Sequence, residues 1–340
     1  MASIRRARGR AVPVGVWVAL SMAFVSACSG GAAADVTSPA FSTETTAPET
    51  TAPVPETTVA SPATTAPPPV AANPDVVVGP GTSEIVLDVD GVPRRYRLHI
   101  PEGLAGAAAL VIDLHGFTAD PANQDALSGW SRLADTEKLV VAQPAALGDL
   151  PAWETAPGSP GAERDIALVR AVVADVSSRV ELDPDRVYAS GFSNGGGMAH
   201  RLACDASDLF AAIGTVAGTY LQIDTCATAR PVPVISFHGT ADLIVPIQGM
   251  SDVLPDVRSW AESWAGRNQC APVPEVETPV SDAVRSRWLE CAEDAEVALY
   301  VIDGGRHTWP GSRSPGLFQA TETIDATAVM WSFFASHPMP

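Results

Sequence analysis

From about residue 80 to the end, segments with strand character alternate with segments of helical character, and this alternation is the feature that most constrains the fold. Residues 108–114 form a nearly continuous apolar run, as expected for a strand buried on both faces. Residues 164–180 instead carry apolar side chains at helical spacing. The other strand-like segments are 84–88, 95–100, 139–143, 187–190, 211–216, 232–237 and 297–302, and the last helical segment is 323–334. The pattern predicts one α/β domain with a mostly parallel, doubly wound sheet.

The first 27 residues have the pattern of a secretory signal. Residues 1–10 carry four arginines and no acid, residues 11–25 are mostly apolar, and the run ends in Val25-Ser26-Ala27-Cys28. The apolar run is short for a membrane-spanning helix. The ending resembles the signal of bacterial lipoproteins, which implies cleavage before Cys28 and lipidation of its sulfur. An ordinary signal peptide, with Cys28 as a bystander, is the alternative.

Residues 28–79 form a predicted linker between this signal and a domain over residues 80–340. Thr, Ala, Pro and Ser dominate the linker, and Thr-Thr-Ala-Pro occurs at 45–48, 50–53 and 64–67. Such a composition buries too little apolar surface to offset the entropy lost on ordering, so we expect a disordered stalk. Together with a lipid on Cys28, the stalk predicts an extracellular protein that is anchored to a membrane of the cell envelope.

Acidic residues outnumber basic ones, with 39 Asp+Glu against 21 Lys+Arg, and the formal net charge is −18. Proteins that bind nucleic acid normally present a basic face to it. The charge therefore argues against a nucleic-acid partner, and the predicted contact with the membrane is through the lipid anchor.

The motif that carries chemistry is Gly191-Phe192-Ser193-Asn194-Gly195. It follows a short strand-like segment and precedes a stretch that can start a helix, which is the setting of a nucleophile elbow. Such a turn exposes the serine Oγ at the carboxyl edge of the sheet. The glycines on either side of the serine are needed because bulkier side chains would clash in so tight a turn. Ser193 is therefore the candidate nucleophile. A glycine-rich turn without a catalytic role is the alternative.

A serine nucleophile needs a base, and the base needs a group that orients it. In α/β folds of this kind the chain order is serine, then acid, then histidine. His307 follows the last predicted strand, so its loop can bring the imidazole over the sheet edge; it is the candidate base rather than a surface histidine. Asp242 lies in the loop after the strand at 232–237 and is the candidate orienting acid. Asp303 is the other candidate for the orienting acid. The alternative for Asp242 is an aspartate in a surface turn without a catalytic role.

An oxyanion hole needs two backbone N–H groups. Asn194 directly follows the candidate nucleophile and supplies the first. Leu114-His115-Gly116-Phe117 ends an earlier predicted strand, so the N–H of Phe117 is the candidate for the second.

Four stretches together resemble the polyhydroxybutyrate depolymerase/feruloyl esterase family of α/β-hydrolases. They are Leu-His-Gly at 114–116, Gly-Phe-Ser-Asn-Gly-Gly at 191–196, His-Gly-Thr-Ala-Asp-Leu-Ile-Val-Pro at 238–246 and His-Thr-Trp-Pro-Gly at 307–311. The resemblance covers residues 80–340 and implies an α/β-hydrolase fold, a single catalytic domain without a large lid. It implies Ser193, Asp242 and His307 as the catalytic triad. Two positions depart from the family pattern: Arg306 stands where a third glycine is typical, and Phe117 where many members have cysteine.

Four cysteines lie in the predicted domain: Cys204, Cys226, Cys270 and Cys291. In an exported protein we expect them to be oxidised, and four cysteines allow three pairings. We favour 204–226 and 270–291, whose partners lie 22 and 21 positions apart. A metal site built from all four is disfavoured because no pair has the C-x-x-C spacing.

The sequence therefore predicts an exported serine esterase that needs no cofactor or metal and acts on a small-molecule or oligomeric ester. The ester would be of the feruloyl, acetyl or hydroxyalkanoate type, as the resemblance implies. A serine peptidase of the same fold and a non-catalytic, surface-binding lipoprotein are the alternatives. Trp153 and Trp309 fit the lining of an acyl pocket or the packing of the core equally well.

Overall fold

The structure is a computed structural model that describes residues 78–221, 225–250, 254–314 and 318–340. The predicted signal peptide, Cys28 and nearly all of the predicted linker lie outside the described residues. Within them, no helix combines the length and the apolar character needed to cross a membrane.

A mixed ten-stranded sheet forms the frame of the domain. Its strands are β1 (Gly81–Val89), β2 (Val92–Ile100), β3 (Ala108–Leu114), β4 (Val140–Pro144), β5 (Leu182–Phe192), β6 (Ala212–Val216), β7 (Val234–Gly239), β8 (Glu275–Val280), β9 (Ala283–Trp288) and β10 (Val297–Ile302). Their spatial order is β1-β2-β4-β3-β5-β6-β7-β10-β9-β8. The six strands from β4 to β10 in this order pair in parallel, and antiparallel strands add to both sides. The prediction of a mostly parallel sheet is confirmed.

Six helices cover the two faces of this sheet within the described residues. They are α1 (Pro121–Ser128), α2 (Trp130–Glu137), α3 (Pro160–Arg179), α4 (Asn194–Asp205), α5 (Val257–Arg267) and α6 (Ala326–Ser336). One apolar core lies under α3, α4 and α5, and a second lies under α2 and α6. Every residue of β3 is buried between these cores, which explains its continuous apolar run.

The edge hairpin of β8 and β9 was not predicted from the sequence. All of β8 except its last residue is exposed, so the strand lacks the apolar signal that marked the central strands. The predicted hairpin around Asp90-Gly91 is present, and β1 pairs with β2 from Gly81↔Ile100 to Val89↔Val92.

The register of the central strands brings four loops to one edge of the sheet. Leu114 pairs with Gly191 in the parallel β3–β5 ladder, and Gly239 pairs with Ile302 in the parallel β7–β10 ladder. Because parallel strands end together, the loops after β3, β5, β7 and β10 meet at this carboxyl edge. These loops carry every candidate catalytic and oxyanion residue.

Two disulfides join the cysteines in the favoured pairing, Cys204–Cys226 and Cys270–Cys291. Cys204 lies on α4, and Cys226 lies in the segment that leads to β7. Cys270 follows α5, and Cys291 follows β9. With their sulfurs bonded to one another, none of these four residues offers a thiolate to a metal.

Candidate active site

Ser193 occupies a strained turn between β5 and α4. Its φ of 54° and ψ of −116° are unusual for a residue with a side chain. The two motif glycines are required by close backbone approaches: a Cβ on Gly191 would lie 2.2 Å from the carbonyl oxygen of Gly195, and a Cβ on Gly195 would lie 2.1 Å from that of Leu114. The turn thus holds Ser193 at the N-terminus of α4, in the setting that the sequence predicted.

The structure brings Ser193, His307 and Asp242 together, although they are far apart in the chain. Nε2 of His307 lies 3.0 Å from Oγ of Ser193, and Nδ1 of the same ring lies 2.7 Å from Oδ2 of Asp242. The carboxylate accepts a hydrogen bond from Nδ1–H, which leaves Nε2 as the acceptor for the serine hydroxyl. The order of the hydrogen bonds is that of a serine, its base and the group that orients the base.

Asp242 is buried, yet its environment favours the charged form. Its Oδ1 accepts hydrogen bonds from the backbone N–H groups of Ile244 and Val245, both at 2.9 Å. Burial by itself would raise the pKa of Asp242, but the hydrogen bonds from His307 and these two N–H groups outweigh it and lower the pKa. Asp242 is therefore a fixed negative charge behind His307.

The rival acid Asp303 and two other histidines, His238 and His200, lie outside this chain of hydrogen bonds. Asp303 is exposed and accepts a hydrogen bond from Thr240, at 3.3 Å. His238 donates from Nε2 to the carbonyl oxygen of Val245, at 2.7 Å, and burial lowers its pKa. His200 packs under α5, where burial lowers its pKa to about 3.

Phe117 and Asn194, the candidate oxyanion donors, belong to loops that flank Ser193. A Cβ on Gly116 would lie 3.6 Å from Cβ of Ser193, so the loop after β3 runs directly against the serine. Among the described residues, the N–H of Phe117 has no hydrogen-bond partner. The N–H of Asn194 is the first of α4, and the first four N–H groups of a helix have no partner within it.

Trp153 and His115 brace this oxyanion side, and the sequence did not predict that role. The side chain of Asn194 pairs with the backbone of Trp153, accepting from its N–H at 2.7 Å and donating to its carbonyl oxygen at 3.0 Å. Trp153 Nε1–H donates to the carbonyl oxygen of His115, at 2.9 Å. Both Trp153 and Trp309 are buried, so these tryptophans belong to the core and not to the surface of a pocket.

A cavity of 200 Å³ opens beside His307, lined by Ala241, Leu243, Arg306 and Phe318 as well. A larger cavity, of 590 Å³, lies between α6 and the strands β9 and β10 and contains none of the candidate residues. In the described part of the chain, the one His/Cys/Asp/Glu cluster with metal-like spacing is His200 with Cys204 and Cys226. Two of its three members share a disulfide, so the cluster does not fit a metal ion.

A serine, a histidine and an aspartate linked in this order at the carboxyl edge of a mostly parallel sheet are the arrangement of the α/β-hydrolases. The fold agrees with a solved member of that class: an acetyl xylan esterase from Aspergillus awamori superposes with a TM-score of 0.56 at 16% identity. The superposition covers 74% of this chain and 99% of that structure.

Sequence comparison identifies the family. The profile described as "Esterase PHB depolymerase" matches residues 95–262. NocK of Nocardia uniformis subsp. tsuyamanensis, assigned as an esterase, is 30% identical over 67% of this chain and 74% of its own length. Feruloyl esterase B of Piromyces equi is 28% identical over 63% of this chain, which spans 42% of that longer protein. The chain belongs to the esterase PHB depolymerase family of carboxylic ester hydrolases, as its motifs predicted.

Proposed function

We propose that this protein is an exported serine esterase that hydrolyses carboxylic esters through an acyl-enzyme on Ser193. One observation carries the proposal: the hydrogen bonds from Ser193 to His307 and from His307 to Asp242, at 3.0 and 2.7 Å. A hydroxyl is a weak nucleophile at neutral pH, and a hydrogen-bonded base is what activates it.

In the first step, Oγ of Ser193 attacks the ester carbonyl carbon while Nε2 of His307 takes the hydroxyl proton. The N–H groups of Phe117 and Asn194 donate to the oxyanion that forms. The C–O bond of the ester then breaks, and His307 returns its proton to the departing alkoxide. A water molecule, deprotonated by the same histidine, attacks the acyl-enzyme and releases the carboxylic acid and the free serine.

Asp242 acts through His307 in this scheme. Because Asp242 stays ionised, it stabilises the imidazolium that forms in each half of the reaction and holds the ring in the tautomer that accepts from Ser193. Two backbone N–H groups fix the carboxylate, so the pair needs no rearrangement when charge develops.

The proposed substrates are esters of the feruloyl, acetyl or hydroxyalkanoate type, in small or oligomeric molecules. The names of the relatives support this range: one is a feruloyl esterase, one structural neighbour is an acetyl xylan esterase, and the family takes its name from a polyester depolymerase. Fold and triad do not select among these acyl groups, because function resides in the site and not in the fold.

The proposed location is the outside of the cell envelope, with residues 1–27 as the signal, residues 28–79 as a tether and residues 80–340 as the esterase domain. The two disulfides support an exported protein because such bonds persist in oxidising compartments. The sequence before Cys28 supports a lipid anchor.

Hydrolysis of p-nitrophenyl acetate by the full chain tests the esterase proposal. We expect turnover by the wild-type protein, its loss in Ser193→Ala, and its retention in Ser178→Ala. Ser178 is a suitable control because it lies on α3 and its hydroxyl donates to the carbonyl oxygen of Asp175, at 2.7 Å, and not to a candidate residue. Cleavage of peptides without cleavage of esters would instead indicate a peptidase. Failure to cleave either class by the folded wild-type protein would indicate a binding protein.

A further inference from the structure

Arg306 is a cation directly beside the candidate base. It precedes His307 in the loop after β10, and its side chain is exposed. Its Cζ lies 5.6 Å from the centre of the Phe318 ring, which holds the guanidinium over an apolar face. No carboxylate among the described residues forms an ion pair with it.

Arg306 borders the 200 Å³ cavity that opens next to His307. The other lining residues are Ala241, Leu243, His307 and Phe318, so Arg306 is the one permanently charged residue that lines the cavity in the described part of the chain. A space with apolar walls and one cation suits a short carbon chain that ends in an anion.

The lining of the cavity, which includes the candidate base, fits the alcohol half of an ester. The departing oxygen must be near Nε2 of His307 to receive its proton, whereas the carbonyl oxygen must face the N–H groups of Phe117 and Asn194. His307 lines the cavity and neither oxyanion donor does. This lining therefore fits a group that is attached to the departing oxygen.

We infer that Arg306 binds a carboxylate carried by the alcohol half of the substrate, a few atoms from the ester oxygen. The inference rests on the proposed esterase function and specifies its substrate. An oligomer of a hydroxyalkanoic acid meets the requirement at the end that bears its free carboxylate. Cleavage of the last ester at that end releases a hydroxy acid that carries the carboxylate. Acetyl or feruloyl esters of neutral sugars do not meet it.

Cleavage at that end balances as ordinary hydrolysis. Ser193 forms a bond to the acyl carbon, the C–O bond to the terminal hydroxy acid breaks, and the proton held by His307 moves to the departing oxygen. Water then releases the shortened oligomer. The net charge of −18 gives no general attraction for an anionic substrate, so a preference for one has to arise from a local cation such as Arg306.

A pair of matched substrates tests the inference: the dimer of 3-hydroxybutyrate with its free carboxylate, and the same dimer with that carboxylate capped as a primary amide. We expect the full-chain wild-type protein to show a kcat/KM about tenfold higher for the free acid, the size of one partly exposed, charge-assisted hydrogen bond. The ratio should fall to about one in Arg306→Gln, which keeps a polar side chain without the charge, and should recover in part in Arg306→Lys. Arg313→Gln, an exposed arginine on the same loop, should keep the wild-type ratio.

A wild-type ratio of one or below, or a ratio in Arg306→Gln as high as in wild type, overturns the inference. So does cleavage of p-nitrophenyl acetate with no cleavage of either dimer. In each of these cases the esterase proposal stands, because esters are still hydrolysed. If the wild-type protein cleaves neither p-nitrophenyl acetate nor the dimers, the esterase proposal itself fails, and the inference with it.

Discussion

Asp242 and His307 are 65 positions apart in the chain, and Oδ2 of the first lies 2.7 Å from Nδ1 of the second. The contact exists because β7 and β10 are parallel neighbours, so the loops that follow them leave the sheet side by side. Two backbone N–H groups, those of Ile244 and Val245, also donate to the carboxylate and hold it in place. The strand register thus brings the two loops together, and the hydrogen bond between the side chains completes the pair.

The three residues should differ in how much activity their loss removes. Ser193→Ala and His307→Ala should each lower kcat by about 10⁶, the scale known for triads that act as a unit, and Asp242→Asn by about 10⁴. Steady-state hydrolysis of p-nitrophenyl acetate checks this order. Asp303→Asn is the control and should lower kcat only slightly, because Asp303 accepts a hydrogen bond from Thr240 and not from His307. A larger loss in Asp303→Asn than in Asp242→Asn would reassign the orienting acid.

Gly191→Ala should destabilise the fold and remove activity. The new Cβ would lie 2.2 Å from the carbonyl oxygen of Gly195, so the turn around Ser193 must shift. We expect the free energy of unfolding in urea to fall by about 1–3 kcal/mol or more. Gly266→Ala is the matched control: it lies on α5 with nothing within 4 Å of the new methyl group. It should raise stability by roughly 0.5–1 kcal/mol. Equal effects of the two changes would contradict the packing argument.

Asp113 should make stability depend on pH near neutrality. It is fully buried on β3, and burial outweighs its hydrogen bonds and raises its pKa to about 6. It accepts from the side chains of Gln124, Ser128, Gln143 and Ser190. The folded pKa exceeds the unfolded value of about 3.9. The protonated carboxyl of Asp113 therefore makes its full contribution to the free energy of unfolding below pH 4. That contribution is lost as the pH rises to about 6.

Urea unfolding of the wild-type protein and of Asp113→Asn at several pH values measures this contribution. The variant holds no titrating group at position 113, so the difference in unfolding free energy between the two proteins should change by roughly 3 kcal/mol between pH 4 and pH 7. The change should favour the wild-type protein at the acid end. Parallel curves for the two proteins would show that Asp113 does not titrate in this range.

The sequence was sufficient to predict the central strands, because each had a local signal, and the disulfide pairing that the sequence favoured is the one in the structure. Buried parallel strands are continuous apolar runs, and the loops that leave them carry Ser193, Asp242 and His307. The edge strand β8 had no such signal because its side chains are exposed. The hydrogen bonds of Asp113 join residues from α1, β4 and β5, so only the fold brings them together. The one sign of that network in the sequence is Asp113 itself, an acidic residue within the apolar run at 108–114.

Anchoring through Cys28 has a direct test on the full chain in a bacterial host. Cys28→Ala should move the protein from the detergent phase to the aqueous phase in a phase-partition experiment, because the variant lacks the sulfur that would carry the proposed lipid. Its ester hydrolysis per molecule should equal that of the wild-type protein. Retention of Cys28→Ala in the detergent phase would mean that the attachment lies elsewhere.

The central claim is that Ser193 carries the acyl group, and mass spectrometry of the quenched reaction tests it most directly. The full-chain protein is mixed with p-nitrophenyl acetate, stopped with acid within one turnover and digested. We predict that the peptide containing Ser193 gains the mass of one acetyl group, that fragmentation places it on the serine, and that Ser193→Ala gains none. An acetyl group on another residue in wild-type protein, or release of p-nitrophenol at the wild-type rate by Ser193→Ala, would contradict the account.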